Sequence, residues 1–448
     1  MKESWFNQWR PYQGNLEQTP VATNEYLPAR QTLVLGVQHA FAMFGATVLA
    51  PLLMGFDPSL TMLITGIGTI IFFLITGGRV PSYLGSSFAF IGAVAAVTGY
   101  NGVGANPHIA LALGGIIACG IVYMLVGLLV MKIGTAWIEN LLPPVVTGSI
   151  VMIIGLNLAP VTIKGVSGNS FDTWMALVTV LCIGGIAVFT KGMLRRLLLL
   201  VGLLLSYALY FVLANVLGLG KPIDFATITN AAWFGLPTFH HPEFSLNAAL
   251  LIAPVAIILI AENLGHFKAV SAMTGQDISP YMGRAFFADG LCTTLSASIG
   301  GTGMTTYAEN IGVMAATRIY STLVFVIAGV FAMLLGLSPK FGALVSTIPV
   351  AILGGASIVV FGLITIAGAR IWMSNQVDFA QNGNMLVAAI TIIMGTGNYS
   401  LHIGAFDLGG IGTATFAAIL LNLLLNRKSA QPKSVQEPAL NESHVISK

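Results

Sequence analysis

The chain has 448 residues, 56% of them hydrophobic and 8% charged, with a formal charge of +3. A soluble domain carries about 25% charged residues, so this composition excludes one and points to an integral membrane protein. The positive balance does not mark a nucleic-acid surface, because the basic residues sit in loops and tails, where they read as topology signals.

The N-terminal segment 1–30 is polar and lacks an apolar signal-peptide core, so no cleaved signal is expected. Hydropathy then predicts about fourteen membrane segments, at 31–54, 58–77, 80–99, 108–132, 139–159, 173–190, 195–217, 247–268, 282–299, 302–317, 319–338, 343–368, 384–399 and 406–426. The third, ninth, tenth and thirteenth are short or rich in Gly, Ser and Thr, which leaves counts of twelve and thirteen open. The stretch 427–448 is polar and reads as a disordered tail. The 51 glycines suit close helix packing. Cys119, Cys182 and Cys292 fall in apolar spans without metal spacing and read as small core residues.

With fourteen spans, Arg30, Arg79, Lys132, Lys191, Arg195, Arg196, Lys268, Arg284, Arg318, Arg370, Arg427 and Lys428 share one side with both tails. Lys164, Lys221 and Lys340 fall on the other. The positive-inside rule then places both termini in the cytoplasm. The loop 218–246 would link two halves, 31–217 and 247–426, of seven spans each, and an odd number of spans gives the halves opposite orientations. Internal similarity supports such a repeat. The run from Gly148 to Leu156 resembles the run from Gly355 to Leu363, each after a proline, Pro144 or Pro349. Gly85-Ser86-Ser87-Phe88-Ala89-Phe90 in the third span likewise matches Gly303-Met304-Thr305-Thr306-Tyr307-Ala308-Glu309 in the tenth. Both are hydroxyl-rich runs beside glycines and make poor continuous helices. Interrupted spans at matching positions of inverted halves point to a transporter's substrate site, since unwound backbone is tolerated only where a cavity or ligand satisfies it.

The ionisable residues in the apolar spans are few. Inserting one costs roughly 2.5 to 3.5 kcal/mol on insertion scales. Glu309 opens a half-helix just after the tenth-span break. It reads either as a helix-start acid favoured by the dipole or as a buried carboxylate that accepts ligand N–H groups. Glu262 and His266 lie four residues apart on one helix face; they are either a self-satisfied pair or a proton-handling one. His39, after Gln38 in the first span, is equally compatible with interhelical bonding and function. Asp289 reads first as a helix-packing acid and second as a further proton site, Tyr83 and Trp233 as interfacial anchors. The adjacent His240 and His241 make no metal motif. HExxH, P-loop and nucleophile-elbow patterns are absent from the sequence, so an enzyme is not expected.

Several runs carry a family resemblance. Glu309-Asn310-Ile311-Gly312-Val313-Met314-Ala315-Ala316-Thr317-Arg318 resembles the signature of the nucleobase–ascorbate transporter family, an acid or amide followed by N-x-G-x-x-x-x-T-R/K. Gln38-His39 is similar to its first-span QH pair, Ala261-Glu262-Asn263-Leu264-Gly265-His266 to its AExxGH motif, and Tyr83 to Phe90 to its third-span motif. The resemblance covers 31–426. It implies an all-α polytopic fold with fourteen spans in two inverted repeats and short antiparallel strands breaking spans three and ten. A core domain would use spans one to four and eight to eleven, a gate domain spans five to seven and twelve to fourteen, and dimerisation would run through the gates. By the same resemblance Glu262 and Glu309 bind the base, completed by backbone groups at Phe88 and Ala308. Tyr307 lies beside it, and His266 and His39 support the network or the proton coupling. Phe361 stands where uracil permeases of the family carry a tyrosine, which puts a hydrogen bond from that position in doubt, and Ala308 stands in place of a glycine.

The expectation is therefore proton-coupled uracil import, with other pyrimidines open, across a bacterial cytoplasmic membrane, with protons as the coupling ion and no cofactor. Uracil offers two N–H donors, which suit carboxylates, and two carbonyls, which suit backbone N–H groups at half-helix starts. The competing readings are an uncoupled facilitator and an anion transporter on the same scaffold; two acids at the centre would repel an anion.

Overall fold

The computed structural model describes residues 5–16, 18–100, 104–403 and 406–426. The tail expected at 427–448 lies outside them. The helices and strands follow in chain order. A polar leader carries β1 (Arg10–Pro11) and β2 (Glu25–Tyr26), and then come α1 (Ala29–Met54), α2 (Pro58–Ile75), β3 (Leu84–Ser86), α3 (Phe90–Thr98), α4 (Ile109–Ile133), α5 (Ala136–Leu141), α6 (Pro144–Val166), α7 (Ser170–Phe189), α8 (Gly192–Arg196) and α9 (Leu198–Phe211). After a π-helical turn and the loop helix α10 (Ala226–Asn230) follow α11 (Leu246–Ile252), α12 (Val255–Thr274), α13 (Met282–Ser298), β4 (Met304–Thr306), α14 (Ala308–Thr317), α15 (Leu323–Gly336), α16 (Pro339–Ser346), α17 (Val350–Ser374), α18 (Asn382–Thr396), β5 (Leu401–Ile403), β6 (Phe406–Leu408) and α19 (Gly410–Leu425).

Among the described residues eight helices are long and apolar enough to cross a membrane, or nine if α15 and α16, bent by 79°, form one span. The other expected segments fall on shorter helices or strand–helix composites. Local chemistry sets several boundaries. Asp57 caps α2 by accepting from the Ser59 N–H at 2.8 Å, with Pro58 preset for the first turn. The fifth span, expected at 139–159, runs instead over 144–166, because Pro144 occupies a helix's first turn readily and an interior badly. The twelfth, expected at 343–368, is divided by Pro349: α16 ends before it and α17 starts after it.

The helices pack in two clusters. In one, α1 and α2 lie on α15, α4 lies on α13, and α12 touches α4 and α14; in the other, α6 lies on α17, α7 on α9 and α17, and α18 on α6 and α19. Close approach uses small residues: a Cβ at Gly290 would come within 2.6 Å of the Gly120 carbonyl across the α4–α13 contact. The leader crosses one end of the first cluster. The Asn7 N–H donates to the Gly77 carbonyl at 2.9 Å, Trp9 Nε1 to Thr322 Oγ1 at 3.1 Å, the Val21 N–H to the Arg318 carbonyl at 3.0 Å and Thr23 Oγ1 to Gln276 Oε1 at 2.9 Å. The Arg284 guanidinium sits 3.8 Å above the Trp5 ring.

Candidate functional site

The site is built where the two broken spans meet inside the first cluster. β3 and β4 pair antiparallel, Leu84 opposite Thr306, Gly85 opposite Thr305 and Ser86 opposite Met304. The pairing continues outward, with Ser87 N–H to the Gly303 carbonyl at 2.9 Å and Tyr307 N–H to the Tyr83 carbonyl at 3.2 Å. These bonds satisfy backbone that no helix covers, which apolar surroundings require. Each strand leads into a helix start, α3 at Phe90 and α14 at Ala308, so an N-terminal dipole end follows each strand. The packing is reciprocal. A Cβ at Gly85 would come within 2.2 Å of the Tyr307 ring, and one at Gly303 within 2.1 Å of the Phe90 ring.

Ala308 is exposed and Glu309, Glu262, His266 and Phe88 are only partly buried, although buried residues of the core flank them. A Cβ at Gly265 or Gly312 would meet no atom within 4 Å, so the faces of α12 and α14 that carry the acids border open space. Glu262 and Glu309 are close enough to interact electrostatically. Among the described residues neither carboxylate has a side-chain hydrogen bond to another residue's side chain. Both carboxylates therefore keep acceptor capacity that no protein side chain among the described residues uses.

The expected residues separate by position. Glu262 and His266 share α12 with Gly265, Ala308 and Glu309 open α14, and Phe88 lies between β3 and α3. Tyr307 is buried and its hydroxyl donates to the Ser86 carbonyl at 2.8 Å, so its polar end serves the strand pair. His39 is buried at 1% exposure; Asn310 Nδ2 reaches its Nδ1 at 3.0 Å and its carbonyl at 3.1 Å, and Phe325 packs on the ring at 4.7 Å. Phe361, on α17 of the other cluster, meets Phe88 edge-on with centroids 6.3 Å apart. It also lines a cavity of about 440 Å³ between α3 and helices α6 and α17, with Ile91, Gly92, Asn157, Gly354 and Ser357.

One of two open readings is excluded, and one expectation is corrected. Glu262 and His266 are not a self-satisfied pair: the imidazole Nδ1 lies 2.8 Å from Thr306 Oγ1 instead. Tyr83 is no interfacial anchor, being fully buried with its hydroxyl 3.1 Å from Thr65 Oγ1. Trp233 is exposed, with the Lys340 ammonium 4.5 Å from its ring centroid. Asp289 belongs to a network that its sequence position did not announce, with Tyr123, Asn263, Thr305 and Thr306. Its members lie on four separate elements, and the Thr305-Thr306 pair in the tenth-span break was the one sequence signal for it. Among the described residues no group of three His, Cys, Asp or Glu side chains is arranged to hold a metal ion.

The profile described as Permease family matches residues 30–404. RutG of Escherichia coli (strain K12), whose name assigns it provisionally as a pyrimidine permease, is 65% identical over 94% of this chain and 96% of its own. The uracil permease of Paenibacillus larvae is 38% identical over 91% of this chain and 96% of its own. The uracil permease of Escherichia coli (strain K12) is also 38% identical, over 90% and 93%. Among solved structures, the murine Slc26a9 anion transporter in its inward-facing state superposes with a TM-score of 0.66 at 11% identity, covering 90% of this chain and 69% of that one. The transmembrane domain of a cyanobacterial bicarbonate transporter, BicA, gives 0.57 at 17% identity, covering 87% and 97%. At these identities the structural likeness shows the fold alone.

Proposed function

The chain belongs to the permease family, a multi-pass membrane transporter and not an enzyme, and from that premise we propose that it imports uracil, or a closely related pyrimidine base, by proton symport. The observation that carries the reading is the pair of carboxylates, Glu262 and Glu309, bordering open space beside two helix starts. Uracil's two N–H groups match the acids and its carbonyls match backbone N–H groups at Phe88 and Ala308. The names of the relatives support the same substrate class.

In this reading the chain has fourteen spans in two inverted halves, lies in the bacterial cytoplasmic membrane with both termini inside, and pairs as a homodimer through the second cluster. The first cluster is the moving core and the second the gate, with the Phe88–Phe361 contact at their boundary. Protonation of Glu262, with His266, accompanies binding. An anion site on this fold would need the acids replaced, since two carboxylates at the centre repel an anion.

The test is labelled-uracil uptake into proteoliposomes under an imposed inward proton gradient. Accumulation that a protonophore abolishes supports the symporter. Equilibration without accumulation removes the proton step, and no uptake by folded protein overturns the substrate.

A further inference from the structure

The hydrogen bonds behind the site bear on where a proton sits. Asn263 Nδ2 lies 2.6 Å from Asp289 Oδ2 and 2.5 Å from the Tyr123 hydroxyl. The structure turns the Asn263 amide NH2 toward Asp289, whose Oδ2 accepts from it. The Tyr123 hydroxyl accepts from the amide and donates to Asp289 Oδ2 at 3.3 Å. The Asn263 carbonyl oxygen then faces the strand β4, where Thr305 Oγ1 donates to it at 3.2 Å and Thr306 Oγ1 donates to it as well. A hydroxyl has one hydrogen. Thr306 spends it on Asn263 and has only lone pairs left for His266 Nδ1, 2.8 Å away. The hydrogen in that contact must come from the ring.

We propose that Asn263, oriented by Asp289 and Tyr123, acts through Thr306 as the positioning residue that holds His266 as the Nδ1–H tautomer and leaves Nε2 as the ring's acceptor. The second histidine of the cluster is set the opposite way. Asn310 Nδ2 donates to His39 Nδ1, which puts that ring's proton on Nε2. One ring nitrogen's partner decides the state of the other, so the two amides, Asn263 and Asn310, give the two histidines different faces. The use of Nε2 as an acceptor for a proton or a base N–H rests on the function proposed above; the tautomer does not.

The experiment is solid-state NMR of the full chain in lipid with 15N-labelled histidine, the His266 signals being assigned by their loss in His266→Gln. The expected spectrum has a protonated, pyrrole-type Nδ1 and a pyridine-type Nε2 for His266. Thr306→Ser keeps it, while Thr306→Val and Asn263→Leu convert it to a mixture or to the Nε2–H form and lower uracil uptake severalfold. A wild-type His266 that is Nε2–H or doubly protonated overturns the proposal, even if no variant folds. Signals unchanged in folded Thr306→Val and Asn263→Leu overturn it too. If wild-type protein shows the expected tautomer but carries no uracil, the functional reading fails and the network assignment stands.

Discussion

Glu309 stands in the first turn of α14, where a carboxylate is favoured by the helix dipole but finds no side-chain partner among the described residues. Glu309→Gln keeps the shape and removes the charge. A hydrogen bond to a charged group is worth about 1.5–3 kcal/mol, so labelled-uracil uptake should fall about tenfold to a hundredfold, and unchanged uptake would remove Glu309 from the site. Tyr307 makes a different kind of contribution. Tyr307→Phe leaves the Ser86 carbonyl without its donor inside the protein, which costs about 1 kcal/mol and should lower the thermal midpoint in detergent. At this scale the sequence was legible where a residue type is expensive in a membrane, as at Glu262, Glu309 and Asp289. It was not legible where the question was direction. Spacing puts Glu262 and His266 on one face of α12, and nothing in the spacing says that the ring bonds Thr306. An aromatic before a break reads as an anchor, yet Tyr83 is enclosed because β3 pairs with a strand from the other half of the chain.

The element that decides the site is the strand pair, and its two glycines are its narrowest points. Gly85→Ala or Gly303→Ala would set a methyl group against an aromatic ring held by surrounding helices. Overpacking of this kind costs typically about 1–3 kcal/mol, and either variant should lose uptake along with thermal stability; full activity in both would mean that the rings yield. The leader is the second element with a structural task. It bonds loop residues 77, 276, 318 and 322, all at one end of the first cluster. Deleting residues 1–27 should therefore lower the melting temperature measured in detergent, whereas an unchanged value would show that these contacts add nothing to stability. The broken spans could be read from clustered Gly, Ser and Thr, and helix starts from Asp57, Pro58 and Pro144. The leader's docking could not, because a polar segment that bonds loop backbone has the composition of an unstructured one.

For the whole molecule, the boundary between the two helix clusters is the place where transport would be felt. Gly92 on α3 and Ser357 on α17 line one cavity from opposite clusters. In a background without native cysteines, bridging Gly92→Cys and Ser357→Cys with a bifunctional thiol reagent should stop uptake, and a cleavable reagent should restore it on reduction; uptake that survives the bridge would refute relative motion of the clusters. The strand pair has a further consequence, for biosynthesis. β3 leaves the ribosome early, but β4, its partner in the two-stranded sheet, belongs to the second half of the chain. Each unpaired backbone group in hydrocarbon costs several kcal/mol, so nascent β3 has to be kept from lipid while the intervening spans are inserted. The Phe90 ring waits as well, since the glycine it covers belongs to the later half. A chain arrested before residue 304 should thus be a better substrate for membrane quality-control proteases than one arrested after residue 317, because only the longer chain can close its own seam.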